Sequence, residues 1–496
     1  MARTIGLGPG RRQGSRSCLA RHPAAVSPRP VKLGKLLDTV LPPPDRRPER
    51  LRRVATASTL EYCDLTDVGR RRSNNQDAKA VLEPWSREVY KRRGWLFVVA
   101  DGMGAHAAGE MASAIAAEQV PLVYEKLAGK SPALALRLAV EQANEEIHAK
   151  GESSLDLKGM GTTCTALALV PRGAVVGHVG DSRAYRVRGG RIEQLSRDHS
   201  LAWDLEDMQA AGGGQGLDPR EAPKNIITRS MGPHPQVQVD LEGPFPVEAG
   251  DVFVLCSDGL SGQVADGEIG LLASGLPPRD AAASLVGLAL VRGAPDNVTV
   301  IVARAGGKEV SKTGPGDPPW PLTAEPAASA PRPLPWRLLA AAAVSLFAGL
   351  VALGFWRDAQ DDLVQGVSLA VAGLALLSFL ATLLFSFVGF LLPAGADQRM
   401  LPPGGRLGNG PYRSHDCGPT ADRVAAVVAS VAAAAEGLDG PPRARIDEQV
   451  RRARARIEAG DPRGATAAAA AAIASYAAAV EAARGEATAP GGRKPG

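Results

Sequence analysis

The sequence has few cysteines, and its five lie far apart at positions 18, 63, 164, 256 and 417, with no Cys-x-x-Cys pair. This spacing argues against a disulfide framework and against a cysteine zinc site, and it favours a reducing compartment. A basic excess is also lacking beyond position 53, because the remainder holds 44 Lys and Arg against 49 Asp and Glu. A mildly acidic body suggests no basic groove, so we expect no nucleic-acid partner.

The net charge of +5 therefore comes from the first 53 residues, which hold 13 Lys and Arg against 3 Asp and Glu. Residues 1–53 are rich in Arg, Pro and Gly and poor in long apolar runs, a composition that predicts a disordered basic leader. An organellar targeting segment has a similar composition, and a start codon placed too early would also give such a leader.

Residues 54–304 alternate short apolar runs with longer amphipathic ones, which predicts one α+β domain. The predicted strands are 95–100, 162–170, 174–180, a hairpin over 184–195, 251–257 and 297–304. The predicted helices are 108–128, 132–150, 201–211 and 279–292.

Two long apolar runs follow a linker, residues 305–335, that contains eight prolines and is expected to be extended and semi-stiff. Residues 338–356 and 363–393 carry no charge over 19 and 31 positions, whereas a helix needs about 20 residues to cross a bilayer. The runs predict a transmembrane helical hairpin within residues 336–394. The alternative is a hairpin buried in a soluble domain.

The charges that flank the hairpin predict its orientation. The connecting loop "RDAQDD" has one arginine and three aspartates, whereas arginines 332 and 337 precede the first span and arginines 399, 406 and 413 follow the second. By the positive-inside rule, both flanks lie in the cytoplasm. We therefore expect a protein of the cell membrane with two spans, whose catalytic domain and tail are cytoplasmic.

The tail, residues 395–496, reads as two or three alanine-rich helices. Thr420 is a candidate N-cap, and "GDP" at 460–462 separates the later helices. The arginines between 443 and 456 form a charged face. A partner-binding helical hairpin is one interpretation, and a set of solvated surface helices is the favoured one.

Within the α+β domain, aspartates stand where apolar strands end or begin. Asp101, Asp181 and Asp258 each follow such a run, and Asp296 precedes one. Each is a good turn residue, so four independent turns would explain them. If the strands instead end at one edge, the carboxylates converge, and their mutual repulsion calls for divalent cations such as Mg²⁺ or Mn²⁺.

The order of the surrounding motifs distinguishes these alternatives. In sequence they are "RSNNQDA" (72–78), "VVADGMGAHAAGE" (98–110), "GMGTTCTAL" (159–167), "GHVGDSRAYRVRGGRIEQLSRDHS" (177–200), "NIITRSMG" (225–232), "DVFVLCSDGLSGQV" (251–264) and "PDNVTVIVA" (295–303). This series resembles the successive motifs of the metal-dependent PPM (PP2C-type) protein serine/threonine phosphatases, in the bacterial form with "DGMG". The resemblance covers about half of the chain.

The resemblance implies a PP2C-like β-sandwich of two antiparallel sheets flanked by helices, with two Mn²⁺ or Mg²⁺ ions at one end. It implies that Asp101 bridges both metals and that the Gly102 carbonyl binds the second. Asp258 and Asp296 correspond to further ligands of the first metal. Hydrolysis would then use a water acidified by the two cations.

Further roles come from the same resemblance. Arg72 corresponds to the arginine that binds the substrate phosphate, although Arg70 and Arg71 adjoin it and the assignment could slip by one. Asp77 corresponds to the acidic residue that orients the attacking water. Asp181 corresponds to a ligand of an optional third metal.

The sequence departs from the family pattern at three positions. Gln76 stands where glutamate is common, and Gly262 stands where the partner aspartate for a third metal is expected. Met103 replaces the histidine that serves as general acid in the "DGH" branch, so we expect water to deliver the proton. Asp198 and His199 match a family motif and are expected to be structural.

The expected function is hydrolysis of phosphoserine and phosphothreonine in phosphorylated proteins, opposing Ser/Thr kinases. One alternative is a membrane-anchored pseudophosphatase, a scaffold or sensor acting through its helical tail. Another is a two-metal nuclease or phosphodiesterase, which would need a basic groove.

Overall fold

The computed structural model of the chain describes residues 60–104, 107–210, 223, 226–306, 317–323, 336–358, 360–391, 399–408 and 412–488. The predicted leader, residues 1–53, lies outside this part of the chain, and so does most of the predicted linker.

Fourteen strands lie in the described residues. In chain order they are β1 (Leu60–Asp67), β2 (Asp77–Leu82), β3 (Trp95–Met103), β4 (Gly161–Thr162), β5 (Cys164–Val170), β6 (Gly173–Val179), β7 (Arg183–Arg188), β8 (Arg191–Gln194), β9 (Asp240–Phe245), β10 (Val252–Cys256), β11 (Val298–Ala305), β12 (Trp320–Pro321), β13 (Met400–Leu401) and β14 (Ser414–Asp416).

Twelve α-helices lie in the same residues. They are α1 (Arg87–Arg93), α2 (Ala107–Lys126), α3 (Pro132–Glu152), α4 (Leu201–Ala210), α5 (Asp258–Ser261), α6 (Asp266–Gly275), α7 (Pro278–Val291), α8 (Trp336–Asp358), α9 (Asp362–Leu391), α10 (Ala421–Ala435), α11 (Gly440–Glu458) and α12 (Pro462–Thr488).

Two antiparallel sheets form the centre of the molecule. The first has the order β1-β11-β10-β7-β8-β14, and the second has the order β2-β3-β5-β6-β9, with β4 paired to β3. Apolar side chains from both sheets, such as Phe97 and Leu167 from the second and Phe253 and Ile301 from the first, are fully buried in one cluster between them. The α+β sandwich expected from the sequence is therefore confirmed.

Helices cover the outer face of each sheet, which explains why the central strands are apolar on both sides. Helices α2 and α3 pack on the second sheet, where Leu136, Val140 and Ile147 of α3 are fully buried. Helices α6 and α7 pack on the first sheet, and their apolar faces belong to a separate cluster. The predicted helices 108–128 and 132–150 correspond closely to α2 and α3.

The C-terminal bundle, helices α10 to α12, packs against α6 and α7. Val424 and Val431 of α10 and Ile473 of α12 are fully buried in the same cluster as the apolar residues of α7. The favoured interpretation of solvated surface helices is therefore wrong for this face of the bundle. The charged face of α11 is exposed, as the arginine pattern indicated.

The predicted helix boundaries within the tail agree with the structure. Thr420 caps α10, because its side chain accepts a hydrogen bond from the Arg423 backbone N–H at 3.3 Å. Helix α11 ends and α12 begins around the "GDP" sequence at 460–462. The tail also contributes β14, which pairs with β8 at the edge of the first sheet.

Part of the predicted linker lies against the sandwich. Trp320 is 7% exposed, the Arg172 guanidinium lies 4.3 Å from its ring centroid, and β12 pairs with β13. Residues 317–323 are thus packed rather than acting as a free spacer, a difference from the extended linker that proline content indicated.

Helices α8 and α9 pack against each other and leave large apolar side chains such as Phe347, Leu377 and Leu384 exposed. Three helical segments of the described chain are long and apolar enough to cross a membrane: Leu338–Asp358, Asp362–Leu384 and Pro462–Arg484. The third lies in α12, and one apolar face of this helix, which includes Ala465, Ile473 and Tyr476, is buried in the same cluster as α7 and the other helices of the bundle.

Candidate active site

Asp101 lies near the end of β3, beside Asp77 of β2 in the antiparallel register. Its backbone is fixed on both sides. The Asp101 N–H donates to the Thr163 hydroxyl at 2.9 Å, and the Asp101 carbonyl accepts from the Thr163 N–H and the Thr162 hydroxyl, each at 2.9 Å. The strand therefore ends with its carboxylate held in a defined place, which a simple turn would not require.

Asp77 is connected to the other sheet through Ser257. The Ser257 hydroxyl donates to Asp77 Oδ2 at 2.8 Å, and its oxygen accepts the Thr299 backbone N–H at 3.0 Å. Asp77 Oδ1 is buried without a hydrogen-bond partner among the described residues. The serine thus fixes one carboxylate oxygen and leaves the other facing the cluster.

The remaining aspartates come from both sheets. Asp181 follows β6 of the second sheet, whereas Asp258 follows β10 and Asp296 precedes β11 of the first. Asp258 is the first residue of the short helix α5, and its Oδ1 is buried without a partner within the described part of the chain, as is Oδ1 of Asp181. The four strand-end aspartates and Asp77 therefore meet at one end of the sandwich.

The carboxylates of the cluster raise one another's pKa. Burial raises the pKa of Asp101 well above its ordinary value, and the charges of Asp77 and Asp258 raise it further. Burial raises the pKa of Asp258 as well, and the charge of Asp296 is the next cause. The cluster therefore carries mutually repelling negative charge when its carboxyl groups are ionised.

Asp77 and Asp181 behave in the same way. Burial, followed by a smaller contribution from the charge of Asp258, raises the pKa of each from 3.8 to about 7. Buried carboxylates that repel one another are stabilised either by protons or by bound cations.

The donor set fits hard divalent cations by its chemistry. It consists only of carboxylate oxygens, three of them buried and unpartnered among the described residues. Within the same residues, no three Asp, Glu, His or Cys side chains are arranged around one point as a preformed metal site. The carboxyl of Asp296 is engaged instead by Arg72, whose Nη2 lies 2.7 Å from Asp296 Oδ2.

Arg70 and Arg72, two of the three adjacent arginines, can be distinguished by their contacts. Arg72 reaches the aspartate cluster through Asp296, and its side chain is 48% exposed at the mouth of the site. Arg70 points elsewhere, because its Nη1 donates to the Tyr476 hydroxyl at 3.1 Å. Of these two arginines, Arg72 is therefore the one that faces the carboxylates.

Gly102 lies where no side chain fits. A Cβ at this position would lie 2.1 Å from the Gly109 carbonyl oxygen and 2.5 Å from that of Gln76. Its N–H donates to the Gln76 carbonyl at 3.1 Å. The glycine thus permits β3 to pass against two backbone segments, a reason that the sequence did not reveal.

Two of the departures from the family pattern can be located. Gly262 is the C-cap of α5, and its N–H donates to the Asp258 carbonyl at 2.7 Å. Met103 is half-buried in β3 and pairs with Gly161 of β4.

Asp198 and His199 lie in a buried network outside the aspartate cluster. Asp198 forms an ion pair with Arg183 at 2.7 Å. His199 Nδ1 accepts the Gly180 N–H at 3.0 Å, while its Nε2 lies 3.0 Å from Asp240 Oδ2. Both residues join the loops after β6 and β8 and bring no reactive atom to the cluster.

Asn297 is a residue that the sequence interpretation missed as part of the site. Its Oδ1 accepts the Gln76 N–H at 2.8 Å, and its Nδ2 donates to the carbonyls of Val68 at 2.9 Å and Asn74 at 3.0 Å. One buried amide therefore joins the segment of Asp296 to the segments on both sides of Arg72. Its position directly after Asp296 was the only available signal.

Comparison with known proteins identifies the phosphatase family that the sequence motifs resemble. The family model described as Protein phosphatase 2C matches residues 69–283. Protein phosphatase PhpP of Streptococcus pneumoniae is 36% identical over 252 residues, which are 49% of this chain and 96% of that protein. Serine/threonine protein phosphatase PstP of Mycobacterium tuberculosis is 36% identical over 249 residues, 49% of this chain and 45% of that protein.

A solved structure of the catalytic domain of phosphatase PstP, in complex with two manganese ions, is 34% identical, with a TM-score of 0.42 over 50% of this chain and 99% of that one. On the relatives and the family model, the chain belongs to the PPM (PP2C-type) family and is a protein serine/threonine phosphatase.

Proposed function

We propose that the chain is a membrane-anchored phosphatase that hydrolyses phosphoserine and phosphothreonine in proteins with two Mn²⁺ or Mg²⁺ ions, opposing Ser/Thr kinases. The observation that carries this proposal is the convergence of Asp77, Asp101, Asp181, Asp258 and Asp296 beside an exposed arginine. Such a cluster has the chemistry of a cation site that opens towards an anionic substrate.

Asp101, the Gly102 carbonyl, Asp258 and Asp296 would hold the two ions. When bound, the ions would lower the pKa of water and offset the negative charge that develops on the phosphoryl oxygens. Binding requires Asp101 and Asp258, whose pKa values are raised by burial, to be ionised. It also requires Asp296 to exchange its contact with Arg72 for a cation.

The freed guanidinium of Arg72 would then bind the substrate phosphate. Its side chain is 48% exposed, so a phosphoprotein can reach it without unfolding of the domain. A planar guanidinium can donate two hydrogen bonds to one phosphate, which fixes the orientation of the phosphoryl group.

Asp77 would orient the attacking water. One of its oxygens is occupied by Ser257, so the other is the one that can accept a hydrogen bond from water. Met103 has no acidic proton, so the proton for the leaving serine or threonine oxygen would come from water at the site.

Asp181 would need a second carboxylate beside it to hold a third ion, and Gly262 offers none. We therefore propose that catalysis uses two ions and that Asp181 contributes mainly negative charge. Loss of the Asp181 carboxylate should then cost far less activity than loss of Asp258.

The hydrophobic helices α8 and α9 would anchor the enzyme. Their apolar side chains are exposed, and each is long enough to cross a bilayer. The acidic loop between them would lie outside the cell, and the catalytic domain and the C-terminal bundle would lie in the cytoplasm. Helix α12 would stay off the membrane, since its apolar face is used within the bundle.

The catalytic proposal is tested with the full-length protein in detergent. The rate of release of phosphate from a phosphothreonine peptide is measured with Mn²⁺, with EDTA, and for Asp258→Asn. We expect EDTA to abolish activity and Asp258→Asn to lower kcat by ~100-fold or more. Asp280→Asn, the same change at an exposed helical aspartate, is the matched control and should retain activity. Equal rates for Asp258→Asn and Asp280→Asn would refute the two-metal assignment and would favour the scaffold alternative.

The topology is tested separately. Gln360 lies exposed in the loop between α8 and α9. In intact cells, Gln360→Cys should react with a membrane-impermeant maleimide, whereas wild type should not. Labelling of Gln360→Cys only after cell lysis would reverse the proposed orientation. Recovery of wild type in the soluble fraction without detergent would refute the anchor.

A further inference from the structure

Helix α12, the last helix of the C-terminal bundle, extends to the edge of the candidate active site. Its first half is fixed to the catalytic core, where Ala465 and Ile473 are fully buried and Tyr476 is 3% exposed. The bundle makes a further polar contact with the core, because Arg292, the C-cap of α7, donates to the Ser430 hydroxyl of α10 at 3.2 Å. The C-terminal half of α12 is therefore held over the chain that follows β1.

Arg484, near the end of α12, binds two acceptors at the start of that segment. Its guanidinium lies 3.0 to 3.2 Å from the carboxylate oxygens of Asp67, and its Nη2 donates to the Gly69 carbonyl at 2.6 Å. The side chain of Asp67 is 15% exposed and that of Arg484 is 33% exposed. A charge-assisted pair in this partly buried setting is stronger than an ordinary surface ion pair.

Tyr476 provides a second contact about two turns earlier in the helix. Its hydroxyl accepts a hydrogen bond from Arg70 at 3.1 Å. Helix α12 therefore contacts residues on both sides of Val68 and Gly69. We call residues 68–72 the arginine loop.

The opposite side of the arginine loop lies against the segment that carries Asp296. The Arg70 N–H donates to the Ala294 carbonyl at 2.8 Å, and Asn297 donates to the Val68 carbonyl at 2.9 Å. At Gly69, where φ is +76°, a Cβ would lie 2.0 Å from the Asp296 carbonyl oxygen. The arginine loop is thus held between α12 and the segment that carries Asp296. Arg72 is the last residue of this loop, three residues after Gly69.

We propose that Arg484 is a positioning residue for catalysis: with Tyr476, it holds the arginine loop so that Arg72 can bind the substrate phosphate. The C-terminal bundle would then be a working part of the phosphatase. This inference rests on the proposed role of Arg72 in phosphate binding.

The size of the effect follows from the contacts that remain when Arg484 is changed. The backbone bonds of Arg70 to Ala294 and of Asn297 to Val68 persist, so the loop should loosen rather than unfold. Arg72 would bind phosphate less well in the ground state and the transition state alike. Loss of such uniform binding raises KM and leaves kcat nearly unchanged.

The test compares Arg484→Gln with Arg452→Gln in the full-length protein in detergent. Arg452 lies on the exposed face of α11 and pairs only with Glu448 among the contacts described. For Arg484→Gln, we expect KM for a phosphothreonine peptide and the inhibition constant of inorganic phosphate to rise together by about three- to tenfold. We expect kcat and the Mn²⁺ concentration for half-maximal activity to stay within about twofold of wild type. Arg452→Gln should match wild type in all four quantities.

Two further variants keep the test decisive if Arg484→Gln fails to fold. Tyr476→Phe retains the buried ring and removes only the hydroxyl, and Arg484→Lys retains the charge. Both should raise KM in the same direction and by less than Arg484→Gln. Wild-type KM in both would overturn the proposal.

Arg72→Ala separates this proposal from the proposed function. If Arg72→Ala leaves KM and phosphate inhibition unchanged, the role of Arg72 in the proposed function fails. If Arg72→Ala raises both and Arg484→Gln behaves like Arg452→Gln, only the positioning role is refuted. In the Arg72→Ala background, Arg484→Gln should have no additional effect on KM, and an additive effect would also refute it.

Discussion

The stability of the metal-free protein should depend on pH through Asp181. This residue is 6% exposed, and its Oδ1 has no hydrogen-bond partner within the described chain. Burial, followed by the charges of Asp258 and Asp198, raises its pKa from 3.8 to about 7. The substitution Asp181→Asn isolates the free-energy cost of burying this charge, because it keeps the shape of the side chain and removes the charge.

The sign follows from the two pKa values. Because the pKa in the folded protein is above that in the unfolded chain, the folded state holds the proton more tightly between pH 4 and pH 7. The free energy of unfolding of wild type therefore falls as the pH rises through this window. Asparagine does not titrate, so the variant gains stability relative to wild type as the pH rises.

The magnitude follows from the same values. Each pKa unit corresponds to ~1.36 kcal/mol, so a rise from 3.8 to about 7 gives an upper bound of about 4 kcal/mol above pH 7. Neighbouring carboxyls share the repulsion and relax when one charge is removed, so we expect about 2 to 4 kcal/mol. For a domain of this size, that range corresponds to a rise in Tm of roughly 4 to 16 °C.

The assay is thermal unfolding of the full-length protein in detergent with EDTA, at pH 5, 6, 7 and 8. Tm of Asp181→Asn should exceed that of wild type at pH 8, and the difference should shrink towards pH 5. Asp280→Asn, at an exposed position, should follow wild type. Mn²⁺ should reduce the pH dependence of wild type, because bound cations offset the same charges. A variant that matches wild type at pH 8, or is less stable there, would refute the electrostatic account of the cluster.

Three other predictions follow from contacts in the core. Gly102→Ala should destabilise the protein by more than ~3 kcal/mol and abolish activity, since its Cβ would lie 2.1 Å from the Gly109 carbonyl oxygen, and an unchanged Tm would contradict this. Ser257→Ala should cost about 1 to 3 kcal/mol in urea unfolding, because the buried Thr299 N–H loses its acceptor, and it should lower kcat through Asp77. A chain that ends at residue 304 should aggregate or unfold more than ~10 °C below the full chain, since it loses the cover over α7; a monodisperse fragment of wild-type Tm would refute this.

The central strands and the long helices could be predicted from sequence because their apolar patterns are strong. The predicted strands within 95–100, 162–170 and 174–180 all lie inside the second sheet. Strands β1, β2 and β9 escaped prediction, and each lies at or next to an edge, where side chains are only partly buried and no continuous apolar run is needed. The three-residue β14 has no detectable pattern of its own.

Asp101, Asp181, Asp258 and Asp296 could be found because each directly follows or precedes a strong strand signal, whereas Asp77, at the start of the unpredicted β2, was found only through the resemblance. The resemblance then supplied their grouping, which periodicity could not. Ser257 and Asn297 were missed because their importance lies in hydrogen bonds to Asp77 and to the loop carrying Arg72. The contact of Arg484 with Asp67 joins residues 417 positions apart, so no local pattern could indicate it.

The chain between the two apolar helices and the C-terminal bundle joins the two sheets at their edges. Trp320 and Leu401, which lie on either side of α8 and α9 in the chain, belong to the apolar cluster on the outer face of the second sheet. Leu407 then pairs with Gly243 of β9, and β14 pairs with β8 of the first sheet. The C-terminal bundle follows on the outer face of the first sheet.

The described residues before α8 and after α9 are therefore packed on the sheets. The pairing of β12 with β13 and of β14 with β8 precedes the C-terminal bundle along the chain. Helix α12 lies beyond both, and through Arg484 it contacts the arginine loop. The deletion of α8 and α9 should therefore preserve phosphate binding as long as the C-terminal bundle stays packed on α6 and α7, because that packing holds α12 beside the arginine loop.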